Sequence, residues 1–442
     1  MSNTIINSNS NSALVSTLLE SENAVVNPFV YAEKNIVPPH SVQMVSIPPL
    51  NTANIVASGT LDYDVPKQGI VRRMLLDLVI TKVVNSDIRS KTNHLNAFES
   101  VELLSSGRRI SLLTREGMMA KISDMPYTQR QAYINALNMG AASMTGANIA
   151  ADRIVFPLDF FFNDGNRHAL VTNFLEPLRV RVRLSPLNYH IDKDSTGSAN
   201  DGALKPPTIS QANLLIEYRE LPNVFTDKLI EQNYGDGMLT QLINQFSYET
   251  PKTFTVTSTN TEHQKVEVEL KETSAVKALY VVCEVRSEGQ QAASPTDTIQ
   301  AGMDIPLPLK SVKLEAGGQT IMDVPGEYLQ FWGRTDDSRN KYYSSGLQTG
   351  AGSGTDDHNL HFVYKIDFGM GKEDTSNVVS FRELSSKKLT LHLLRELNDT
   401  SGHGRGFAGL QGKTGTVQVI YETAQLMTTQ SSTGRVNLSL NN

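Results

Sequence analysis

The dominant pattern along the chain is alternation with the period of a strand. In LRVRVRL, Leu178, Val180, Val182 and Leu184 share one face and Arg179, Arg181 and Arg183 the other. One face belongs to a core and the other to water or a partner. Short segments rich in β-branched and aromatic residues, cut by Gly, Pro, Asn and Asp, recur in IVRRMLLDLVITKV, ANLLIEYREL, KTFTVTSTN, KVEVEL and TVQVIYE. They predict an all-β sandwich or jelly roll. Helices of any length are expected only around Leu112 to Asn138 and Thr226 to Phe246. Between VFPLDFFF and LRVRVRL, the stretch DGNRHALVTNFL begins with Asp164 and Gly165. It then places Ala169, Leu170, Thr172 and Phe174 at spacings that suit about two helical turns.

The pattern occurs twice. IVRRMLLDLVI from Ile70 aligns with AVKALYVVCEV from Ala275, an offset of 205. SVELLSSGRRI from Ser100 aligns with SVKLEAGGQTI from Ser311, an offset of 211, and LDFFFNDGNRHALVTNF from Leu158 with IDFGMGKEDTSNVVSF from Ile366, an offset of 208. LLIEY from Leu214 aligns with VQVIY from Val417 at an offset of roughly 203, allowing a one-residue slip. Four matches in one order at nearly constant offset indicate two copies of one domain. The Arg face of LRVRVRL is answered in the second copy by Lys388, Thr390 and His392, and solvent or the neighbouring copy is expected to cover these faces.

Length and charge agree with that organisation. At 442 residues the chain exceeds the size at which one core stops growing. Lys+Arg 40 against Asp+Glu 46 gives a net charge of −6, so no basic stripe of the kind that drives sequence-independent phosphate binding is present. The single cysteine, Cys283 in ALYVVCEV, excludes an internal disulfide and a cysteine cage for zinc, and reads as a free thiol on a strand. MSNTIINSNSNS lacks the charged and apolar regions of a signal peptide, and no run of some 18 apolar residues predicts a membrane span. Asn398-Asp399-Thr400 and Asn437-Leu438-Ser439 match the glycosylation pattern and are read as chance matches without a secretory context.

The candidate catalytic motifs fail on chemistry. Gly412-Lys413-Thr414 resembles part of a phosphate loop, but Phe407 stands where the pattern needs glycine, and a strand follows instead of a helix N-terminus. In DDHNLH, His358 and His361 would face opposite sides of a strand, and GHGRG has no second histidine at ligand spacing. No G-x-S-x-G elbow occurs. A carbohydrate-binding or carbohydrate-cleaving tandem β-sandwich is the alternative. It would need aromatic platforms or paired carboxylates, and the chain has one tryptophan, Trp332.

With its elements in this order, the chain resembles the double jelly-roll major capsid proteins of icosahedral double-stranded DNA viruses, a family that includes large nucleocytoplasmic DNA viruses, virophages and polinton-like viruses. GTLDYDVPKQGIVRRMLLDLVI is similar to the family's opening strands, FESVELLSSGRRI to its strand and turn of the IELLIGGQRI type, and VFPLDFFF to its IPLPFWF segment. ANLLIEYRELPNVFTDKLI followed by LINQFSYET is similar to the crossing between the two jelly rolls. The family's frequent QPSGS is absent. The resemblance runs from about residue 40 to the C-terminus, and its specificity lies in the order of the segments.

The resemblance implies two tandem eight-stranded antiparallel jelly rolls with short helical inserts: an N-terminal arm over 1–40, a first roll over 41–225, a connecting helical segment over 226–246 and a second roll over 247–442. It implies no enzyme activity and no cofactor or metal. Three chains would form a pseudo-hexagonal capsomer within a virion shell; a minor capsid or spike protein of the same viruses is a second alternative, and the repeat argues against it. The expected partners are further copies of the chain, minor and penton capsid proteins, an internal membrane and a host surface, with no specific nucleic-acid binding. The arm carries ALVSTLLESENAVV, with Leu14, Leu18, Leu19, Val25 and Val26 as an amphipathic anchor on the inner side of the shell. The long Gly-rich connections imply outward-facing towers, with Asp194, Asn200, Lys205, Gly350, Gly352, Asp356, His403 and Arg405 as exposed candidates.

Overall fold

The computed structural model describes residues 41–56, 58–81, 98–125, 133, 151–163, 170–172, 175–185, 208–220, 238–257, 264–285, 305–307, 309–331, 363–368, 378–393, 412, 414–430 and 433–439. In the first half these form β1 (Ser41–Ile47), β2 (Thr60–Val65), β3 (Ile70–Thr81), β4 (Phe98–Ser105), β5 (Arg108–Thr114), helix α1 (Arg115–Asp124), β6 (Ala151–Pro157), β7 (Leu170–Val171), β8 (Leu178–Leu184) and β9 (Thr208–Glu220). One sheet runs β1-β9-β3-β6, with β7 also on β3, and the other runs β2-β8-β4-β5. All pairs are antiparallel, and chain and spatial order together give a jelly roll.

The second half repeats the plan with β10 (Met238–Tyr248), β11 (Lys252–Thr255), β12 (Lys265–Glu269), β13 (Ala275–Val285), β14 (Ile305–Pro306), β15 (Leu309–Ala316), β16 (Gln319–Pro325), α2 (Gly326–Phe331), β17 (Val363–Asp367), β18 (Val379–Ser380), β19 (Lys388–Leu393), β20 (Thr414–Gln430) and β21 (Val436–Ser439). Its sheets run β10-β20-β13-β14, with β11 and β21 on β20 and β17 and β18 on β13, and β12-β19-β15-β16.

The alternation in β8 does what its pattern dictates. Leu178, Val180, Val182 and Leu184 are buried between the sheets, and each such side chain contributes about 1.5–3 kcal/mol relative to exposure. A one-residue slip would turn all four outward.

The duplication extends to backbone irregularities. The β3–β9 ladder shifts register between Val71 and Arg73, and the β13–β20 ladder between Val276 and Ala278. Shifts between Leu103 and Leu104 and between Leu314 and Glu315 lie at equivalent points of the two hairpins. Both hairpin turns use positive φ, at Ser106 (45°) and Gly107 (81°) and at Gly317 (58°) and Gly318 (78°), as two-residue hairpins demand.

Four sequence expectations are corrected. The β9–β20 equivalence has offset 205, not 203, because Leu76 pairs with Leu214 and Val281 with Val419. The difference is even, so the predicted face survives. Met238–Tyr248, expected as the end of a helix spanning 226–246, is a strand held by eleven ladder pairs to β20. Leu239, Leu242, Ile243 and Phe246 have helical spacing, but a long edge of β20 overrides that local preference. The expected helix from Leu112 starts at Arg115, with Leu112 and Leu113 in β5. Leu170 and Val171, expected in a helical insert, form β7, while a single helical turn occurs earlier, at Phe161–Asn163.

Candidate functional site at the junction of the two jelly rolls

The two rolls meet where the β5–α1 corner of the first lies on the β10-β20-β13 sheet of the second, beside β17. Thr114 caps α1, its hydroxyl accepting from Gly117 N at 3.1 Å. Gly117 permits the approach, since a Cβ there would collide with the Tyr248 hydroxyl on β10. That hydroxyl accepts from Thr114 N and donates to Leu112 O, both at 3.2 Å. Gln245 Nε2, three residues earlier on the same strand, donates to Ile110 O at 2.6 Å. Ile243, Ala278, Tyr280, Val282, Val363 and Ile420 of the second roll belong to the same apolar cluster as the first roll's interior. The second roll's interior forms its own cluster, which holds Cys283.

Charges are buried in this junction and paired there. Arg115 bonds Glu284 on β13 and, at 3.1 Å, Glu116. Lys365 Nζ lies 3.1 Å from Asp124 and 3.0 Å from Asp367. Burial works against the Lys365 charge, but the carboxylates of Asp124 and Asp367 outweigh it and hold the ammonium above its ordinary pKa. Burial, with Asp124 nearby, pushes the Tyr280 hydroxyl well above the usual phenol value. Tyr280 donates to Glu422, which also lies 3.6 Å from Lys277. Around the edge, Arg108 donates to Asn437 at 3.2 Å and Glu176 N to Gly434 O at 3.0 Å, so β21 and the turn before it tie back to the first roll. This arrangement locks two domains together; nothing in it presents a nucleophile with its base.

The charged faces of β8 and β19 lie on the opposite sheets. Arg179 and Arg181 donate at 2.8 Å to Asp64 and Asp62 on β2, and Arg183 lies 3.8 Å from Glu99. In the second roll Lys388 sits 3.3 Å from Glu267 and 3.6 Å from Glu315, while His392 Nδ1 lies 3.0 Å from Ser311 Oγ; Thr390 is buried. The Arg face is thus matched by carboxylates of its own sheet, and no unopposed basic stripe remains there.

No family model matches the sequence, and no curated protein does. Solved structures do match over almost their whole length. The PBCV-1 virus capsid aligns with a TM-score of 0.65 and 14% identity, covering 91% of this chain and 97% of that one. The Faustovirus major capsid protein aligns at 0.58 and 9%, covering 96% and 98%. The mavirus major capsid protein aligns at 0.57 and 10%, covering 95% and 96%. This chain has the double jelly-roll fold of those major capsid proteins.

Within that double jelly roll, the arm residues Leu14, Leu18, Leu19, Val25 and Val26 lie outside the described residues. So do the tower candidates Asp194, Asn200, Lys205, Gly350, Gly352, Asp356, His403 and Arg405. Among the described residues, no group of three or more His, Cys, Asp or Glu side chains is arranged to hold a metal, and no helix is long and apolar enough to cross a membrane. Sequence reasoning missed the junction residues Arg115, Gly117, Tyr248, Glu284 and Lys365. One signal for them existed. β13 reads AVKALYVVCEV, almost continuously apolar, where its counterpart β3 carries Arg72, Arg73 and Asp77. A strand apolar on both faces is covered on both faces.

Proposed function

We propose that this chain is a structural protein, the major capsid protein of an icosahedral double-stranded DNA virus, and that it resides in the virion shell. The observation that carries the reading is the double jelly-roll fold itself, matched end to end by solved capsid proteins. Two rolls joined by a buried, ion-paired junction behave as one rigid unit. Three such units give six similar rolls, which approximate a hexagon, and hexagonal capsomers tile a facet through near-equivalent contacts. Duplication is then part of the mechanism, since it lets a three-fold object meet six-fold neighbours. In this reading the first 40 residues contact a neighbouring capsomer, a minor capsid protein or a membrane beneath the shell, and the connections bearing Asp194 and Gly350 face outward.

Light scattering with negative-stain imaging of the purified protein tests the reading. The expected species has three times the 48.6 kDa chain mass and a hexagonal outline. A monodisperse single chain at every concentration would overturn it. For the arm, assembly unchanged after deletion of residues 1–30 would remove its assigned role.

A further inference from the structure

The internal junction joins one corner, β5–α1 of the first roll, to one sheet, that of the second. Because the rolls are copies, the chain also carries the reciprocal surfaces: the β16–α2 corner of the second roll and the β1-β9-β3-β6 sheet of the first. Matched ladders fix the equivalences. On the sheets, Ser46 pairs with Leu215 as Tyr248 pairs with Ile420, so Val42, Gln43, Met44 and Ser46 correspond to Asn244, Gln245, Phe246 and Tyr248. On the corners, Ile321 and Tyr328 correspond to Ile110 and Gly117.

Two observations set these reciprocal surfaces apart from ordinary solvated ones. First, they are apolar where their counterparts are covered: Ile110 is buried and Phe246 packs against the shared core, yet Ile321 is 48% exposed, Met44 56% and Val42 55%. Second, the central size pairing is inverted. Inside the chain a glycine on the corner receives a tyrosine from the sheet, Gly117 against Tyr248. On the open surfaces the tyrosine is on the corner, Tyr328 at 46% exposure, and its counterpart on the sheet is the small, exposed Ser46. Knob and hole have changed sides while their sum is kept.

We infer that these two surfaces dock on each other between copies of this chain, with Tyr328 of one copy seated over Ser46 of the next. The Gln43 amide then donates to the neighbour's Ile321 carbonyl, as Gln245 does to Ile110 within the chain. The contact is heterologous, and a heterologous contact whose rotation closes makes a ring, which the assembly reading puts at three chains. The inference rests on the assembly reading above but commits to a face and a pairing that the reading does not specify. The open surfaces lack the internal ion pairs, since Gly326 stands in place of Arg115, Val79 in place of Glu284 and Pro157 in place of Lys365. Shape and apolar burial therefore carry the contact between chains.

The test transplants the internal pair. Ser46→Tyr puts tyrosine against tyrosine, and the purified variant is expected at one chain mass by light scattering, with the circular dichroism of the wild type. Tyr328→Gly leaves a hole and should raise the concentration of half-dissociation about tenfold or more. The double variant Ser46→Tyr with Tyr328→Gly recreates the Gly117–Tyr248 pairing and should restore the three-chain species. Ser46→Tyr remaining trimeric, or a folded double variant remaining monomeric, would overturn this face while leaving the assembly reading intact. A wild-type chain that never associates would overturn both.

Discussion

Arg115 and Glu284 stand 169 residues apart in the chain and form a buried ion pair across the junction of the two jelly rolls. Arg115 also bonds Glu116, so its guanidinium links two carboxylates in one cluster. Removing one member of a buried pair strands the other in a low-dielectric site, at about 3–5 kcal/mol. Arg115→Met, which takes the guanidinium away from two carboxylates, is expected to fall in that range. Glu284→Gln leaves Arg115 its bond to Glu116 and should cost less. Denaturant unfolding of both variants checks the order, and equal losses would show that the cluster is not centred on Arg115.

Gly117 and Tyr248 give a steric prediction. A methyl group at 117 meets a hydroxyl that is pinned by Thr114 N and Leu112 O and cannot swing aside freely. Gly117→Ala is therefore expected to destabilise by about 1–3 kcal/mol despite alanine's better helix propensity. Tyr248→Phe in the same chain removes the clashing oxygen. The combined variant should lose less than the sum of the two single changes in a thermal unfolding cycle.

Lys365 makes the junction sensitive to alkali. Its folded pKa is raised, so its stabilising contribution is complete below the unfolded lysine value of ~10.4 and is lost as pH rises through the folded value. Tyr280, also raised, loses stability on the same side. The difference in unfolding free energy between wild type and Lys365→Met isolates the lysine. That difference should stay flat from neutral pH to about 10 and shrink above it; a difference that grows in alkali would contradict the assigned ion pairs.

Glu272 acts at the opposite end of the scale. Burial disfavours its charge, but Ser247 Oγ at 2.5 Å, Ser274 Oγ at 2.6 Å and the Thr273 and Ser274 amides more than offset this and lower its pKa. Its contribution is present above the unfolded glutamate value of ~4.3 and is lost as pH falls through the depressed folded value. Glu272→Gln should lower stability at neutral pH and make its fall into acid shallower, and an unchanged acid limb would refute the assignment.

Cys283 lies wholly inside the second roll, and burial pushes its thiol up. The native protein should leave it unmodified by a thiol reagent that titrates one group per chain after denaturation. Rapid labelling of folded protein would mean that the second roll opens locally.

Much of this fold was legible in particular residues. The alternation of LRVRVRL placed β8 and its buried face, and the turns at Ser106-Gly107 and Gly317-Gly318 located two equivalent hairpins. The matches from Ile70 and Ala275 placed the central strands of the two copies. The candidate site was scarcely legible. Gly117, Tyr248 and Lys365 carry no local signature, because each meets its partner across the junction more than 100 positions away along the chain.

What the sequence alone determined is what depends on neighbours along the chain: strand period, turn chemistry, the duplication and the charge balance that disfavours a phosphate-binding face. Tertiary structure decided whether LINQFSY was helix or strand, since an amphipathic stretch of that length yields to the ladder offered by β20. It also decided which copy's sheet is covered and which is open. Two surfaces with the same ancestry diverged in a glycine, a serine and two tyrosines, and only their placement in space shows that one pair is filled within the chain and the other faces outward.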